Sequence, residues 1–293
     1  MTSFSNDVMS NPRADRVKAV ARLAHRKGRE ATGEFLAEGP QAVREALLAH
    51  QSNDQLVQEV YVVPGFLESH EEFATLLDGG RIHTVFVTGD VISAMADTKN
   101  PQGILAVVAM SQPQLFEVLA TKPKLIAVLC RVQDPGNAGT ILRAADAAGA
   151  DAVIITKDSV DIYNPKAVRS TAGSLFHLPV LSDVDLEQVV AQINSSEGSF
   201  QILSADGYAE HNLDTLQDGA VLRAGDLESV SAEEPALERP TIWLFGNEGQ
   251  GLSEQEKALA QFNVAVPLYG VAESLNVSTA ATVCLYASAR AQR

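Results

Sequence analysis

Asp134-Pro135-Gly136-Asn137-Ala138-Gly139-Thr140-Ile141-Leu142-Arg143 follows directly on the continuous apolar run Leu125 to Cys130. Pro-Gly turns the chain, Asn137 is able to cap a helix, and Ala138 to Ala148 is Ala-rich with helical character up to Gly149, a natural helix stop. Ala152 to Ile155 is then a second wholly apolar segment of strand length. Strand, turn, helix and strand in this order make a βαβ unit, and strands without polar alternation belong in a mainly parallel sheet covered on both faces. The same alternation continues outward. An apolar run at Leu178 to Leu181, a helical pattern from Leu186 to Ile193, strands at Phe200 to Leu203, Ile242 to Phe245 and Val264 to Val266, and a long helix from Asn276 to Arg290 complete a domain over residues 124–293.

A chain of 293 residues is long for one domain of roughly 150, so a second is expected upstream. Residues 1–12 read as a flexible polar tail. Val17, Val20, Ala21 and Ala24 then recur at helical spacing between basic residues, and a second helix with Val43, Ala46 and Leu47 follows Gly39. Strands are expected at Glu59 to Val63, Thr84 to Val87 and Ile104 to Ala109. Residues 13–110 form a smaller α/β domain on this reading, joined by a linker at 111–123 that contains Pro113 and Pro123. Residues 208–240 are acidic with little periodicity and are expected as a long surface loop inserted in the second domain, a mobile excursion in preference to an insertion with a role of its own.

A composition of 46% hydrophobic and 20% charged residues excludes a mostly disordered chain. No apolar run approaches the roughly 18 residues of a membrane span, and the start lacks a secretory signal, so a cytoplasmic protein without membrane contact is expected. Cys130 and Cys284 lie in apolar stretches without metal-ligand neighbours and read as reduced core residues. The net charge of -15 by itself argues against nucleic acid, but the charge is segregated. Arg13, Arg16, Lys18, Arg22, Arg26, Lys27 and Arg29 face one acid, Asp15, whereas Glu210 to Glu238 holds eight acids against Arg223 alone. Arg13, Arg16, Arg22, Arg26 and Arg29 are therefore candidate RNA contacts, with a solvated helix face as the plainer reading.

Three loops stand at the carboxyl ends of expected strands, where open α/β sheets bind ligands. The first holds Asn137 and Arg143. In the second, Phe245 to Ser253, three glycines in the order GxxGxG match neither the dinucleotide nor the phosphate-loop fingerprint, which removes a nucleotide-dependent oxidoreductase. They allow close approach of backbone to a flat ligand, and Glu248 between them has no packing purpose. The third, Val266 to Ser278, ends in Ser274-Leu275-Asn276-Val277-Ser278, and capping alone does not need both Ser274 and Asn276. All six histidines lie outside these loops and the acids show no metal spacing, so no metal is expected and hydrolase chemistry is disfavoured.

Together these loops resemble the three motifs of the SpoU branch of the SPOUT RNA ribose methyltransferases. Asn137 and Arg143 match the first motif. Gly246, Glu248, Gly249 and Gly251 match the second, and Ser274 to Ser278 matches the third without substitution. The first domain is similar to the substrate-binding domain found ahead of many such enzymes, through Arg29, Phe35, Glu38-Gly39 and Pro101-Gln102-Gly103-Ile104. The resemblance implies a trefoil-knotted second domain, which periodicity would not suggest because knots are close to absent from proteins. It also implies a homodimer, and S-adenosylmethionine bound through Gly246, Val266, Leu268 and Leu275. The implied reaction is methylation of a ribose 2'-hydroxyl in structured RNA, foremost ribosomal RNA; the alternatives are transfer RNA as acceptor, or a non-catalytic RNA-binding protein on the same fold. The implied catalytic residues are Arg143, Asn137, Ser274, Asn276 and Glu248. In the family the residue matching Arg143 is taken as the base, yet neutralising a guanidinium at pH 7 costs about 7 kcal/mol, so a cationic role that grips phosphate and stabilises an alkoxide is physically preferable.

Overall fold

Ile104 to Ala109 contains no polar side chain and is buried over nearly its whole length, which makes it an inner strand. Around it, in chain order, stand α1 (Asp15–Ala21), α2 (Arg26–Thr32), β1 (Glu34–Glu38), α3 (Pro40–His50), β2 (Val57–Val62), α4 (Pro64–Ser69), α5 (Glu71–Gly79), β3 (Thr84–Phe86), α6 (Gly89–Met95) and β4 (Ile104–Ala109) itself. The sheet order is β1-β4-β2-β3, with β4 antiparallel to both neighbours and β2 parallel to β3, a mixed sheet. The computed structural model describes residues 8–79, 82–196, 200–225, 231 and 233–293. Its chain divides into two compact units, residues 1–111 with 161–177 and residues 112–160 with 178–293.

The amphipathic pattern of the basic segment is realised in α1, where Val17 and Val20, with Leu23 just beyond, pack on Leu36, Val91, Ile92 and Met95. Arg13, Arg16, Lys18, Arg22, Arg26 and Lys27 remain exposed. Arg29 does not, contrary to expectation. It is 1% exposed, donates through Nη2 and Nε to Asp161 Oδ2 at 2.6 and 3.0 Å, and donates through Nη1 to the Leu23 carbonyl at 2.8 Å. A buried guanidinium persists only when paired in this way, so Arg29 is part of the interior of the first unit and not of an RNA-facing surface. The tail also differs from expectation where it is described. Met9 bridges Val87, its N–H donating to the Phe86 carbonyl at 2.9 Å and its carbonyl accepting from Thr88 N–H at 3.0 Å; residues 1–7 lie outside the described part.

The chain continues through α7 (Leu115–Ala120), β5 (Leu125–Leu129), α8 (Pro135–Ala148), β6 (Ala152–Thr156), α9 (Pro165–Thr171), β7 (Val180–Val184), α10 (Leu186–Ser195), β8 (Gln201–Ala205), β9 (His211–Asn212), α11 (Leu213–Ala224), β10 (Thr241–Phe245), α12 (Glu254–Ala258), β11 (Phe262–Ala265) and α13 (Val277–Ala291). The second sheet runs β7-β6-β5-β10-β8-β11-β9 and every pair in it is parallel. Its strands are the apolar runs of the sequence, with Ile126, Val128, Ile154, Ile202, Ile242 and Leu244 in one core. Gly149, at φ +75°, ends α8 in the left-handed conformation that other residues adopt at a cost. α9, from within this stretch of sequence, belongs to the first unit, where Tyr163 packs on Phe35 with ring centroids 4.8 Å apart.

Two segments expected without structure have it. Residues 111–123 contain α7, closed by a capping box between Gln114 and Glu117, with Leu115 and Val118 in the core beside Ile126 and Val189. The acidic stretch 208–240 contains β9 and α11, whose N-terminus is capped by Asn212 and whose Leu213 and Leu216 are buried. Ala236 and Leu237 are fully buried further on, while 226–230 and 232 lie outside the described residues. Two leucines and a cap are enough to dock a helix, but too sparse to stand out as periodicity in a polar run.

The burial of Arg29 has a measurable consequence. Arg29→Ala leaves Asp161 without its partner and should lower stability by about 3–5 kcal/mol in urea unfolding, the range for breaking a buried pair. Arg22→Ala, on an exposed residue, should stay within about 0.5 kcal/mol. Equal effects would contradict the assignment of Arg29 to the interior.

Candidate active site

All three motif loops leave the carboxyl edge of the second sheet: residues 130–134 after β5, 246–253 after β10 and 266–276 after β11. β5 and β10 are neighbours, whereas β8 separates β10 from β11. The third loop nonetheless reaches the first, because α13 packs on α8 and on β10 and β5.

Asn137 does not cap α8. Asp134 is the N-cap and its side chain accepts from Asn137 N–H at 2.9 Å, which frees the Asn137 side chain. That amide donates through Nδ2 to Glu248 Oε1 at 3.1 Å and accepts through Oδ1 from Asn276 Nδ2 at 3.1 Å. Asn276 in turn caps α13, its Oδ1 accepting from Ser278 N–H at 2.8 Å and from Ser278 Oγ at 2.6 Å. A carboxylate only accepts, so the chain has one polarity: the NH2 of Asn137 faces Glu248 and its oxygen faces Asn276. Glu248 also accepts the backbone N–H of Gln133 at 3.0 Å and of Asp134 at 2.9 Å. Partial burial pushes its carboxyl up, but these two N–H groups and the Asn137 amide outweigh that and hold it below the usual carboxylate range.

The glycine-rich loop is shaped by contact. A Cβ on Gly246 would stand 2.3 Å from the Gly251 carbonyl carbon and the Leu252 nitrogen, a distance no side chain tolerates. Asn247 and Gly251 exchange backbone hydrogen bonds of 3.1 and 2.8 Å, with Gly251 at φ +67°. Three residues that sequence reading passed over hold this loop. Asn247 donates to the Arg131 carbonyl at 3.0 Å and accepts from Gly249 and Gln250 N–H at 2.9 and 3.0 Å. Arg131 pairs with Glu256 at 2.7 Å and donates to the Gly251 carbonyl at 3.2 Å. The signals available for them were an Asn inside the glycine run, a cation immediately after an apolar strand, and the Ser-x-x-Glu spacing of Ser253 and Glu256.

Val266 is half-buried at the start of the third loop, Leu268 and Leu275 are 39% and 37% exposed, and Ser274 is exposed. Among the described residues, the only hydrogen bond made from Pro267 to Leu275 is that of Tyr269 Oη to Asp214. Most backbone groups of this loop are thus available to a ligand. Arg143 is exposed and has no hydrogen bond or ion pair among the described residues. It lies six residues beyond Asn137 on α8, about 9 Å further along the axis and about 120° around it. The fold gathers Asn137, Glu248 and Asn276, and leaves Arg143 and Ser274 outside their hydrogen-bonded chain.

The model of the SpoU rRNA methylase family matches residues 124–286, and that of the MRM3-like substrate binding domain matches residues 14–106. The chain is similar to the 23S rRNA (guanosine(2553)-2'-O)-methyltransferase RlmP of Bacillus subtilis, at 35% identity over 271 residues that cover 92% of this chain and 94% of that one. It is similar to the 23S rRNA (uridine(2479)-2'-O)-methyltransferase of Streptomyces viridochromogenes, at 30% identity over 92% of this chain and 87% of that one. The crystal structure of the SpoU methyltransferase AviRb from the same organism, in complex with the cofactor AdoMet, matches with a TM-score of 0.78 at 27% identity, covering 95% of this chain and 98% of that one. With motif loops, parallel sheet and both family models in agreement, the chain belongs to the SpoU rRNA methylase family.

Proposed function

We propose that the protein methylates a ribose 2'-hydroxyl of ribosomal RNA with S-adenosylmethionine as donor. The observation that carries the reading is the hydrogen-bonded chain Glu248–Asn137–Asn276, which joins one residue from each motif loop. The chain's similarity to two 23S rRNA 2'-O-methyltransferases supports the acceptor. Methyl incorporation from labelled donor into ribosomal RNA, followed by nuclease mapping of the modified ribose, tests it directly. Ribosomal RNA as acceptor also favours the cytoplasm as the site of action; among the described residues no helix is long and apolar enough to cross a membrane.

The donor fits the residues present. Gly246 brings bare backbone to the end of β10, and Pro267 to Leu275 offers backbone groups without internal partners beside the apolar Val266, Leu268 and Leu275. These are the groups that would hold the adenosine. When bound, S-adenosylmethionine supplies an electrophilic methyl on a sulfonium. Glu248 is saturated by two N–H groups and an amide and stays anionic, so it serves as a strut that orients Asn137 and not as a base. Asn137 and Asn276 then present fixed polar groups to the ribose, with the Ser274 hydroxyl nearby in sequence on the same loop. Arg143 remains a cation, which grips a phosphate beside the target and stabilises charge developing on the 2'-oxygen.

The separation of Arg143 from Asn137 favours a homodimer. α8 and α13 lie side by side on one face of the sheet, and their outer residues are Thr140, Arg143 and Ala147 on one and Thr279, Val283, Tyr286 and Arg290 on the other. Val283 and Tyr286 are 38% and 50% exposed, apolar surface that a second copy would cover while bringing Arg143 to the partner's site. In the first unit, Arg13, Arg22 and Lys27 have no acidic partner among the described residues, whereas Arg16 is paired with Glu59 and Arg26 with Glu30. The first three carry the proposed phosphate contacts most directly, with Arg16 and Arg26 at the edge of the same basic group.

Arg143→Ala should abolish methyl incorporation and leave donor affinity in calorimetry within a few-fold. Arg143→Lys should fail as well, because an ammonium lacks the planar fork; an equal loss of donor binding would place Arg143 elsewhere. Glu248→Gln tests the strut. A lowered carboxyl contributes stability that is present above its ordinary value near 4.3 and lost as pH falls through the lowered one. The stability gap between wild type and variant should be steady from neutral pH down to about 5 and close below it; a gap that widens in acid refutes the assignment. Arg22→Ala and Lys27→Ala should each weaken RNA binding and flatten its log-log salt slope, by up to about 0.9 on duplex and 0.7 on single strands. An unchanged slope would leave α1 and α2 as a solvated face.

A further inference from the structure

β9 pairs in parallel with β11, His211 opposite Val264 and Asn212 opposite Ala265. Both strands end at this pair, so Leu213 opens α11 beside the point where Val266 opens the third motif loop. The helix start is well fixed. Asn212 caps it, its Oδ1 accepting from Asp214 N–H at 2.9 Å, while Leu213 and Leu216 are buried beneath the first turn. Further along, α11 packs on α13. A sheet register, a cap and two buried leucines, all within the second unit, thus place Asp214 next to the loop.

The loop itself has few fixed points. It is held at one end by the last pair of β11 and at the other by Asn276, whose Nδ2 donates to Asn137 Oδ1 at 3.1 Å. Between these ends, among the described residues, its one hydrogen bond is that from Tyr269 Oη to Asp214 Oδ2. Tyr269 is 83% exposed, so its ring buries little and packing does not account for where it stands. The bond to the Asp214 carboxylate holds the Tyr269 phenol above its usual range, and the phenol keeps its proton and donates at neutral pH. A loop that must be ordered when its ligand arrives subtracts that cost from affinity, whereas one fixed beforehand spares it.

We propose that Asp214 is a positioning residue for methyl transfer, which through Tyr269 holds the third loop in the shape that takes up S-adenosylmethionine. The proposal rests on the reading of the protein as a methyltransferase whose donor lies against residues 266–275. It gives the acidic stretch a role of its own: α11 is the buttress from which the donor loop is tethered, and the loop's exposed backbone groups are ordered before the donor meets them.

Calorimetry of the full chain with S-adenosylmethionine alone tests this on wild type, Tyr269→Phe, Asp214→Ala and the double variant. Each single substitution should raise Kd about three- to tenfold, the range of one hydrogen bond. The double variant should fall within about twofold of the weaker-binding single one, because both substitutions remove the same bond. In methyl incorporation into ribosomal RNA, Asp214→Ala should raise KM for the donor by a similar factor and leave kcat at saturating donor unchanged. An acid that served only the dipole of α11 would lower the melting temperature when removed and leave donor affinity alone. Unchanged Kd in both single variants, effects that multiply in the double one, or a fall in kcat with KM unchanged overturns the proposal. The donor titration needs no RNA, so the two readings separate. Donor binding by wild type that neither substitution weakens removes the tether alone, and weakened binding without methylation of ribosomal RNA removes the acceptor alone. A wild type that binds no donor overturns both.

Discussion

The carboxylate of Glu248 determines how the second unit assembles its site. Held between glycines after β10, it accepts the N–H groups of Gln133 and Asp134 and the amide of Asn137, and so locks the turn after β5 to the loop after β10. Because an ionised carboxylate has no proton to give, it also sets the sense of every hydrogen bond downstream: Asn137 must turn its oxygen to Asn276, and Asn276 its oxygen to the first turn of α13. A terminal helix joined to the sheet through one long loop is thereby held in register with a turn some 139 residues earlier. Gly246 makes this possible from below, since the backbone of Gly251 and Leu252 lies where any side chain would have to be.

A second constraint organises the first unit. Arg29 and Asp161, 132 residues apart, form a buried pair that ties the 161–177 segment to the sheet of β1 to β4. Arg169 from that segment braces Glu38, and Tyr163 packs on Phe35. The unit that carries most of the exposed basic residues is therefore completed by chain that lies, in sequence, inside the other. Separating the two at the apparent linker would leave Arg29 and Glu38 buried without their partners, a greater loss than the removal of a connector.

Charge segregation acquires a structural meaning from this arrangement. The basic residues of α1 and α2 are held outward by Val17, Val20 and Leu23 beneath them, while Asp214 and Asp218 of the 208–240 stretch sit on the capped helix α11 and Glu238 pairs with Arg223. Acidic groups at a helix N-terminus are stabilised by its dipole. The strongly negative total thus coexists with a locally positive face in a different unit, and the net charge alone is a poor guide to the partner.

The strands and their parallel order were legible along the chain, because Leu125 to Leu129, Ala152 to Thr156 and Thr241 to Phe245 are apolar at every or nearly every position, and only a sheet covered on both faces accommodates such segments. The motif side chains Asn137, Glu248 and Asn276 were legible too, since neither packing nor capping accounted for all of them. What the sequence left open were choices between local equivalents and pairings across distance. Asp134 and Asn137 are equally good caps, and the extended backbone at Asp134 settled which one served and which was released to bond Glu248 and Asn276. Arg29 is indistinguishable by spacing from its exposed neighbours, and becomes an interior residue only because Asp161 is folded against it. α11 rests on two leucines in a polar run, whose burial depends on the helix and sheet they meet. Local periodicity records what a segment can bury; which group it is buried against, and which polar atom is left free for chemistry, is decided only when distant parts of the chain compete for the same hydrogen bonds.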